Sequence, residues 1–315
     1  MMLVHKIRLF IQHLSFLVLM YGGRLGIHLG PVLPCFACPY VAGCGGHCYL
    51  MGLQSYIGLG MGLSGLWGFI GLRAALYFLL FVLLVVLFGK VWCGWICPMG
   101  LLNDWAAMLR RKLSIREMQI SNKVMRRLRP IKYVLLVLLV IVPVLITAGV
   151  LHDDFSLPFC SICPGKSLLP LFAGRTQYLA LNTDNMVLLS LSAILLIFTG
   201  ITLAGMFFKE RFFCIFCPML ALIHIFKPIT ALRLVKEPNA CIGCGNCRRS
   251  CPMEIQEVYL ERTKSDVQQS DCLNCDNCVT ACPSDKALQM KFFRLTLFAS
   301  KQNRSKNRKR GRNNG

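Results

Sequence analysis

Four long apolar stretches divide the first 230 residues of the chain, and polar or cysteine-containing segments separate them. The stretches cover residues 10–29, 74–87, 133–151 and 186–208. An apolar run of about 18 to 20 residues forms a helix long enough to cross a bilayer core of about 30 Å. The second stretch is shorter than this, but it extends backward through Leu66 to Ile70. The pattern therefore predicts four transmembrane helices.

The composition agrees with a membrane protein. Hydrophobic residues make up 55% of the chain and charged residues only 16%, which is outside the usual range for a soluble globular domain. The first stretch follows Lys6 and Arg8, as the apolar part of a signal peptide would. No small-residue cleavage site follows it before Pro31, so we interpret it as the first membrane helix.

Lysine and arginine indicate how the predicted helices are oriented. Residues 110–132, between the second and third helices, contain nine of these residues, whereas none lies between Arg24 and Arg73. Short loops rich in lysine and arginine remain on the cytoplasmic side. The pattern predicts a multi-pass protein of the cytoplasmic (inner) membrane with both termini in the cytoplasm.

The net charge of +21 is explained by this topology. Nucleic-acid binding is not predicted, because the cations flank apolar stretches, where they are expected to contact anionic lipid. The tail, residues 296–315, is basic and of low complexity, and we predict that it is disordered. It would rest on anionic lipid or on an acidic partner.

Two cysteine runs near the C-terminus have the spacing C-x2-C-x2-C-x3-C-P. Bacterial two-cluster ferredoxins use this spacing, and the fourth cysteine of each run ligates the other cluster. The spacing therefore predicts two [4Fe-4S] clusters with these ligands: Cys241, Cys244, Cys247 and Cys282 for one, and Cys272, Cys275, Cys278 and Cys251 for the other. Structural zinc and disulfides are the alternatives, and two consecutive copies with both terminal prolines disfavour them.

Ten cysteines lie outside this module, and eight of them form pairs that end in Cys-Pro. The pairs on the predicted cytoplasmic side are Cys93 with Cys97 and Cys214 with Cys217, and those on the opposite side are Cys35 with Cys38 and Cys160 with Cys163. The order of an outward helix, an outer pair, an inward helix and an inner pair occurs twice, which indicates an internal duplication. We predict a third cluster on the four inner cysteines and a fourth on the four outer ones.

The outer cysteines have other interpretations, because thiols outside the cytoplasm readily form disulfides. Three bridges or a dithiol relay would use Cys35, Cys38, Cys44, Cys48, Cys160 and Cys163. Cys44 and Cys48 are also candidate metal ligands, with His47 beside them, although a tight loop is the simpler interpretation. If clusters occupy both faces, the chain conducts electrons across the bilayer. Because about 30 Å is long for one electron hop, the sites must then be recessed, or a quinone or partner must bridge them.

With these motifs the chain resembles the membrane-bound polyferredoxins of the NapH, NosR and CcoG type. The resemblance rests on Cys93-Gly-Trp-Ile-Cys97-Pro98, on residues 214–218 and on the two C-terminal runs, and it covers most of residues 60–292. It implies a membrane protein with cysteine motifs at helix ends and a cytoplasmic two-cluster ferredoxin module. In NapH-like members it also implies electron transfer from quinol toward periplasmic reductases. The second inner pair is C-x2-C-P here, and the outer motifs are not part of the family pattern.

The predicted architecture is an α-helical integral membrane domain with a two-fold internal repeat, residues 1–230, followed by an α+β ferredoxin domain, residues 231–295. The predicted function is electron transfer between a cytoplasmic or quinol donor and a partner redox protein, with membrane quinone as a candidate substrate and no catalytic residue. The alternatives are a quinol dehydrogenase subunit that works on one face and a transmembrane thiol reductase that feeds outer disulfides.

Weaker features concern nucleotide and quinol binding. Gly60, Gly62 and Gly65 have the spacing of a dinucleotide fingerprint, but they lie between apolar stretches and are better explained by close packing. The ionisable residues near apolar stretches are Arg73, His152, Asp153, Asp154 and His224. His152, Asp153 or Asp154 would serve as a quinol proton acceptor, although solvated helix ends are the simpler interpretation.

Overall fold

The computed structural model describes residues 2–30, 32–38, 40–41, 43–60, 69–118, 122–150 and 158–300. The long helices are α1 (Met2–Tyr21), α2 (Tyr49–Gly60), α3 (Phe69–Phe88), α4 (Pro98–Lys112), α6 (Ile131–Thr147) and α9 (Met186–Phe208). The shorter helices are α5 (Asn122–Leu128), α7 (Pro158–Ile162), α8 (Pro164–Leu171), α10 (Phe212–Phe216), α11 (Pro218–Ile225), α12 (Asn246–Arg249), α13 (Glu257–Leu260) and α14 (Asn277–Ala281). The glycine fingerprint beyond Gly60, the candidate proton acceptors at 152–154 and the tail from 301 lie outside the described residues.

The apolar stretches form helices close to the predicted ones. Helix α9 coincides with the fourth stretch, whereas α1 ends at Tyr21, because Gly22 and Gly23 are poor helix formers and the following turn closes on Gly26 at φ 78°. Within the described ranges, α9 is the one helix that is long and apolar enough to cross a membrane. The apolar segments Leu72–Phe88 and Ile131–Ile146 are shorter. The four-span topology therefore stays a prediction.

The surfaces of α3, α6 and α9 carry many exposed apolar side chains. Those that are at least two fifths exposed include Leu76, Leu79, Leu83, Val134, Val137, Ile141, Ile194, Ile197 and Ile201. Soluble proteins rarely expose contiguous apolar surface on this scale, and larger patches mark contact with membranes or partners. The outward faces of these helices are therefore suited to lipid.

The C-terminal module is an α+β domain built on three antiparallel strands in the order β1-β2-β3: β1 (Leu232–Lys236), β2 (Leu288–Phe292) and β3 (Leu295–Ala299). Leu232 pairs with Phe292 and Lys236 pairs with Leu288, so the two ends of the domain are held together and the cysteine runs lie between them. The third strand reaches Ala299, four residues beyond the predicted boundary.

Buried ion pairs and hydrogen bonds hold this module against the helices. Lys132 of α6 is fully buried and pairs with Asp271, which also pairs with Arg129 at 2.7 Å. Lys90, two residues after α3, donates hydrogen bonds to the carbonyl oxygens of Gln269 at 3.0 Å and Ser270 at 2.7 Å. Because a buried charge is costly unless it is paired, these contacts fix the position of the module relative to α3 and α6.

We predict that Asp271→Asn destabilises the protein strongly, because it leaves the buried Lys132 ammonium without a counter-charge. Breaking one side of a buried pair costs about 3–5 kcal/mol. The free energy of unfolding, from a denaturant titration in detergent followed by tryptophan fluorescence, measures this cost. The matched control is Asp266→Asn, because Asp266 pairs with Arg233 at 3.7 Å in a half-exposed position, where the loss is at most about 1 kcal/mol. Equal losses in the two variants would contradict the prediction.

Candidate iron–sulfur sites

The first ferredoxin site consists of Cys241, Cys244, Cys247 and Cys282, the four cysteines that the spacing assigns to one cluster. Burial raises the pKa of both Cys247 and Cys282, and nearby thiols add to it: Cys282 and Cys244 for Cys247, and Cys244 and Cys241 for Cys282. The loop and the distant fourth cysteine therefore face one another. The loop turns because Gly243 and Gly245 adopt left-handed backbone at φ 69° and 71°. The side-chain amide of Asn246 donates to the carbonyl oxygen of Ala281 at 3.4 Å and links the two runs.

The second ferredoxin site consists of Cys272, Cys275, Cys278 and Cys251, and these four thiols line one small cavity. The remaining lining is largely apolar and includes Met253, Ile255 and Met290. The backbone N–H of Ile255 donates to the Cys251 thiol at 3.5 Å. Both four-cysteine groups predicted from the spacing are therefore the ones that the fold brings together.

The inner site, named after its predicted membrane face, consists of Cys93, Cys97, Cys214 and Cys217. These four thiols line one cavity, and each is less than a tenth exposed. Cys93 lies in a π-helical turn, Trp92–Ile96, that follows α3, and Cys214 lies in α10. The predicted inner group is thus assembled from two segments more than a hundred residues apart in the chain.

Proline explains the local structure of this site. A residue before proline prefers extended backbone, and Cys97 and Cys217 have ψ of 122° and 113°. Pro98 and Pro218 then begin α4 and α11, since proline is favoured at the first helical position. Each thiol therefore lies at a helix N-terminus, where the helix dipole stabilises negative charge. Cys163 has the same relation to Pro164 and α8.

The outer site consists of Cys38, Cys48, Cys160 and Cys163, which line a second cavity. This corrects the sequence-based grouping, because Cys48 occupies the place expected for Cys35. Cys35 is 1% exposed and lies instead in the inner-site cavity with the four thiols there. Cys44 lies outside both sets of lining residues, 3.8 Å from the His47 Nε2, in agreement with the tight-loop interpretation.

The segment from Cys35 to Cys38 runs between the two cavities, so that Cys35 lies in the inner-site cavity and Cys38 in the outer-site cavity. The Phe36 side chain lines both cavities, and its backbone N–H is hydrogen-bonded to the Cys97 thiol. Its ring packs against Phe213 on the inner-site side at 5.2 Å and against Phe159 on the outer-site side at 6.2 Å between centroids. One aromatic layer therefore separates the inner site from the outer site.

Helix α1 contacts the second ferredoxin site, the inner site and the outer-site loop in that order. Arg8 donates to Asn277 Oδ1 at 3.0 Å, Gln12 to the Gly94 carbonyl oxygen at 3.1 Å and Ser15 to the Ile96 carbonyl oxygen at 3.1 Å. Further along, the Leu19 carbonyl accepts from Gly45 N–H at 3.0 Å, in the loop that carries Cys48. At 1.5 Å per residue, Arg8 and Leu19 are about 17 Å apart along the axis. The contacts of α1 with these three regions are therefore spread over about 17 Å of its length.

The donor sets suit iron–sulfur clusters. All eighteen cysteines are free thiols, and burial raises the pKa of Cys38 to about 12. Four thiolates in one largely buried cavity therefore need a cationic group, such as cluster iron, because metal ligands must be deprotonated. Throughout the described ranges, no three cysteine, histidine or carboxylate side chains lie close enough to hold a single metal ion.

Sequence reasoning missed two buried polar side chains beside the thiols. Gln54 of α2 donates to the Cys160 thiol at 3.7 Å, and its Oε1 accepts from Phe159 N–H at 3.3 Å. Arg211 lies next to Cys214 and is almost fully buried. An amide side chain in a largely apolar helix was the available signal for Gln54. For Arg211 the signal was its position three residues before Cys214.

The earlier candidate His224 lies on α11, half-buried, with its Nδ1 2.7 Å from the Tyr133 hydroxyl. Burial and the nearby ammonium groups of Lys90 and Lys132 lower the pKa of His224 to about 4. The imidazole is therefore neutral near neutral pH and forms part of the polar junction between α6 and α11.

Comparison with known families supports the chemistry. A family model described as a 4Fe-4S binding domain matches residues 70–116 and 191–232, which contain the inner-site cysteines. A 4Fe-4S dicluster domain model matches residues 233–290, which contain both ferredoxin sites. The predicted resemblance to membrane-type polyferredoxins is confirmed. The outer-site cysteines of this chain lie outside the matched segments.

Several curated proteins are similar to this chain. The uncharacterized protein MJ0750 of Methanocaldococcus jannaschii is 31% identical over 180 residues, which cover 56% of this chain and 63% of the relative. The putative electron transport protein YccM of Escherichia coli is 25% identical over 182 residues, or 58% and 46% of the two chains. The ferredoxin-type protein NapH of Haemophilus influenzae is 48% identical over 56 residues, or 18% and 17%. The chain thus spans only about half the length of its first relatives, and no solved structure matches it.

We predict that Gly94→Ala weakens the contact between the ferredoxin module and the inner site. A Cβ at Gly94 would lie 2.4 Å from the Leu273 carbonyl oxygen, which is backbone of the second ferredoxin site. Overpacking of this kind costs about 1–3 kcal/mol, and we expect earlier thermal unfolding and faster proteolytic release of the module. The control is Gly200→Ala in α9, where a Cβ has no neighbour within 4 Å. If Gly94→Ala is as stable as Gly200→Ala, the prediction is wrong.

Proposed function

We propose that this polyferredoxin transfers electrons through four [4Fe-4S] clusters in single file, between a cytoplasmic or quinol donor and a redox protein on the opposite side of the membrane. The observation that carries the proposal is that each pair of neighbouring sites shares a lining residue. Cys247 of the first ferredoxin site lines the cavity of the second. Leu273 lines the second ferredoxin site and the inner site, and Phe36 lines the inner and outer sites.

The proposed ligands are the four thiols of each site, with Cys48 in place of Cys35 in the outer site. Each cluster, when bound, accepts and releases one electron at a potential set by its surroundings. The chain holds the thiolates in largely apolar surroundings and directs backbone N–H groups at sulfur. The N–H groups of Leu50 and Met51 do this for Cys48, and that of Gly165 does it for Cys163.

Membrane insertion with the ferredoxin module in the cytoplasm belongs to the same proposal. It is supported by the basic segment 110–132 and by the apolar outward faces of α3, α6 and α9. It is also supported by the contact of Arg8 with Asn277, since this puts the start of α1 on the same side as the module. Both termini would then be cytoplasmic, and α1 would lead outward to the loop of Cys48.

The proposed two-fold repeat has independent support from the comparisons. One family model matches two segments of the chain, and each segment contains a long helix and one inner cysteine pair. The packing has the same relation in both halves, because α4 packs on α1 and α11 packs on α6. Each half would therefore supply two thiolates to the inner site.

We propose redox proteins as the class of partner. The relatives include a putative electron transport protein and ferredoxin-type proteins, which favours this class. Membrane quinol is retained as a donor, and anionic lipid is retained as the contact of the basic segments. The candidate proton acceptors for quinol lie outside the described residues.

The test is to measure iron and acid-labile sulfide per anaerobically purified chain. We expect about sixteen iron atoms, four for each cubane, in the unmodified protein. Cys48→Ser should lower this to about twelve and remove one cluster signal from the EPR spectrum. Cys35→Ser and Cys44→Ser are the matched controls and should retain about sixteen, because neither residue is a proposed ligand.

If Cys48→Ser retains as much iron as the unmodified protein, the outer cluster is refuted. Peptide mapping that then found the outer cysteines in disulfides would favour the thiol reductase alternative. A loss of iron in Cys35→Ser instead of Cys48→Ser would restore the grouping expected from the repeat.

A further inference from the structure

The first ferredoxin site is more open to solvent than the other three. Its four cysteines are all partly exposed, whereas those of the inner site are less than a tenth exposed. Ile242, between Cys241 and Cys244, has 65% of its surface exposed. An electron carrier in solution would therefore approach the chain most closely at this apolar tip.

Three exposed arginines surround this tip and lack carboxylate partners among the described residues. Arg249 donates to the Cys244 carbonyl oxygen at 3.0 Å, and Arg262 donates to the Cys241 thiol at 3.4 Å. Arg248 has no side-chain hydrogen bond in the same part of the chain. Elsewhere on this side, Arg111 pairs with Glu210 at 2.8 Å and Arg129 pairs with Glu257 at 3.0 Å. Positive charge is thus left uncompensated next to the exposed site.

An open cleft of about 950 Å³ continues from Cys244 past Arg248 and Arg249. The cleft also contains Glu117, Glu210 and Glu254, and each of these carboxylates already pairs with Lys209, Arg110 or Arg111. The charge that remains for a partner on this surface is therefore positive.

We propose that this face, formed by Ile242, Arg248, Arg249, Arg262 and the adjoining cleft, docks an acidic soluble one-electron carrier protein. Carboxylates of the carrier contact the arginines while its redox group faces Ile242. One electron leaves the reduced carrier and enters the chain at the first ferredoxin site, and no proton is transferred. This inference rests on the proposed function and names its cytoplasmic partner class. Complementary charge increases association rates by about 10 to 10³-fold, and salt reduces the gain.

The test uses reduced flavodoxin, an acidic one-electron carrier, mixed in a stopped-flow instrument with the oxidised holoprotein. We expect Arg248→Glu to lower the bimolecular rate about tenfold or more at low salt, and high salt to lower the wild-type rate toward that of the variant. Arg248 is chosen because it makes no hydrogen bond to the cysteine loop. The control is Arg294→Glu, in the exposed β2–β3 turn, which should leave the rate unchanged. Reduction by dithionite should be equal in all three proteins.

An unchanged flavodoxin rate in Arg248→Glu, or a wild-type rate without salt dependence, would overturn the docking proposal and leave the proposed function intact. A wild-type chain that contains iron but transfers its electrons no further than the first site would overturn the proposed function alone. These results are distinguishable because dithionite reduction reports on the clusters without any docking.

A second inference rests on Arg211, which lies between the second ferredoxin site and the inner site. Its side chain is 1% exposed, and its guanidinium pairs with Asp104 at 2.6 Å and donates to the Cys93 carbonyl oxygen at 3.3 Å. It is also hydrogen-bonded to the Cys214 thiol. A Cβ at Gly100 would lie 2.4 Å from Arg211 Nη1, so glycine leaves the space for this cation.

The geometry points to Arg211 as a positioning residue that sets the reduction potential of the inner site. Its charge acts on Cys97 and Cys214 of that site and on Cys275 of the second ferredoxin site. A cation in a dry environment stabilises added negative charge nearby, and cluster potential depends on net charge and hydrogen bonds to sulfur. Arg211 therefore makes the inner site easier to reduce and offsets the repulsion between two neighbouring anionic sites.

EPR-monitored redox titration of Arg211→Gln tests this role. We expect a lower midpoint potential for the inner cluster, little change at the first ferredoxin site, and a largely restored potential in Arg211→Lys. The control is Arg111→Gln, whose side chain is 56% exposed on the neighbouring helix α4. An unchanged inner potential with full iron content would overturn the inference. Loss of the inner iron in both Arg211→Gln and Arg211→Lys would also overturn it, because the role would then be structural.

Discussion

The contact between the Leu273 carbonyl and Gly94 is the constraint on which the arrangement of sites depends. It brings backbone of the second ferredoxin site against the turn that carries Cys93, at a distance that a side chain at position 94 would not permit. The Trp95 indole N–H donates to the Asn274 carbonyl oxygen at 2.9 Å and closes the same junction. Without this approach, the ferredoxin module and the helical domain would be separate redox units.

The junction is also where buried cations collect. Lys90, Lys132 and Arg211 are each nearly fully buried there, and each has a carbonyl or carboxylate partner. Removing charge from water is costly, so their presence needs compensation. Their partners provide part of it, and the negative charge of thiolate-bound clusters would provide more. With clusters bound, the stability of the fold and cluster binding would be coupled at this interface.

Several features followed from the sequence because they depend on local chemistry. The ferredoxin spacing identified both four-cysteine groups, since the tight loops leave few other geometries. The Cys-Pro motifs identified where helices begin, because proline restricts the backbone of the residue before it and is favoured in the first helical turn. The length of an apolar stretch predicted α9 residue for residue. By contrast, α1 ends eight residues before the predicted stretch does, because Gly22 and Gly23 stop the helix before its apolar sequence ends.

The sequence by itself determined the chemistry of this protein: which cysteines form motifs, that they suit [4Fe-4S] clusters, and that the inner pairs belong together. Only the tertiary structure decided that Cys48 joins the outer site and Cys35 lies in the inner cavity. The reason is that the segment around Phe36 passes between the two cavities, and that Cys48 directly precedes α2, at the edge of the outer cavity. Repeat symmetry can assign thiols to a face of the molecule, but packing around one aromatic side chain determines which cavity each thiol enters.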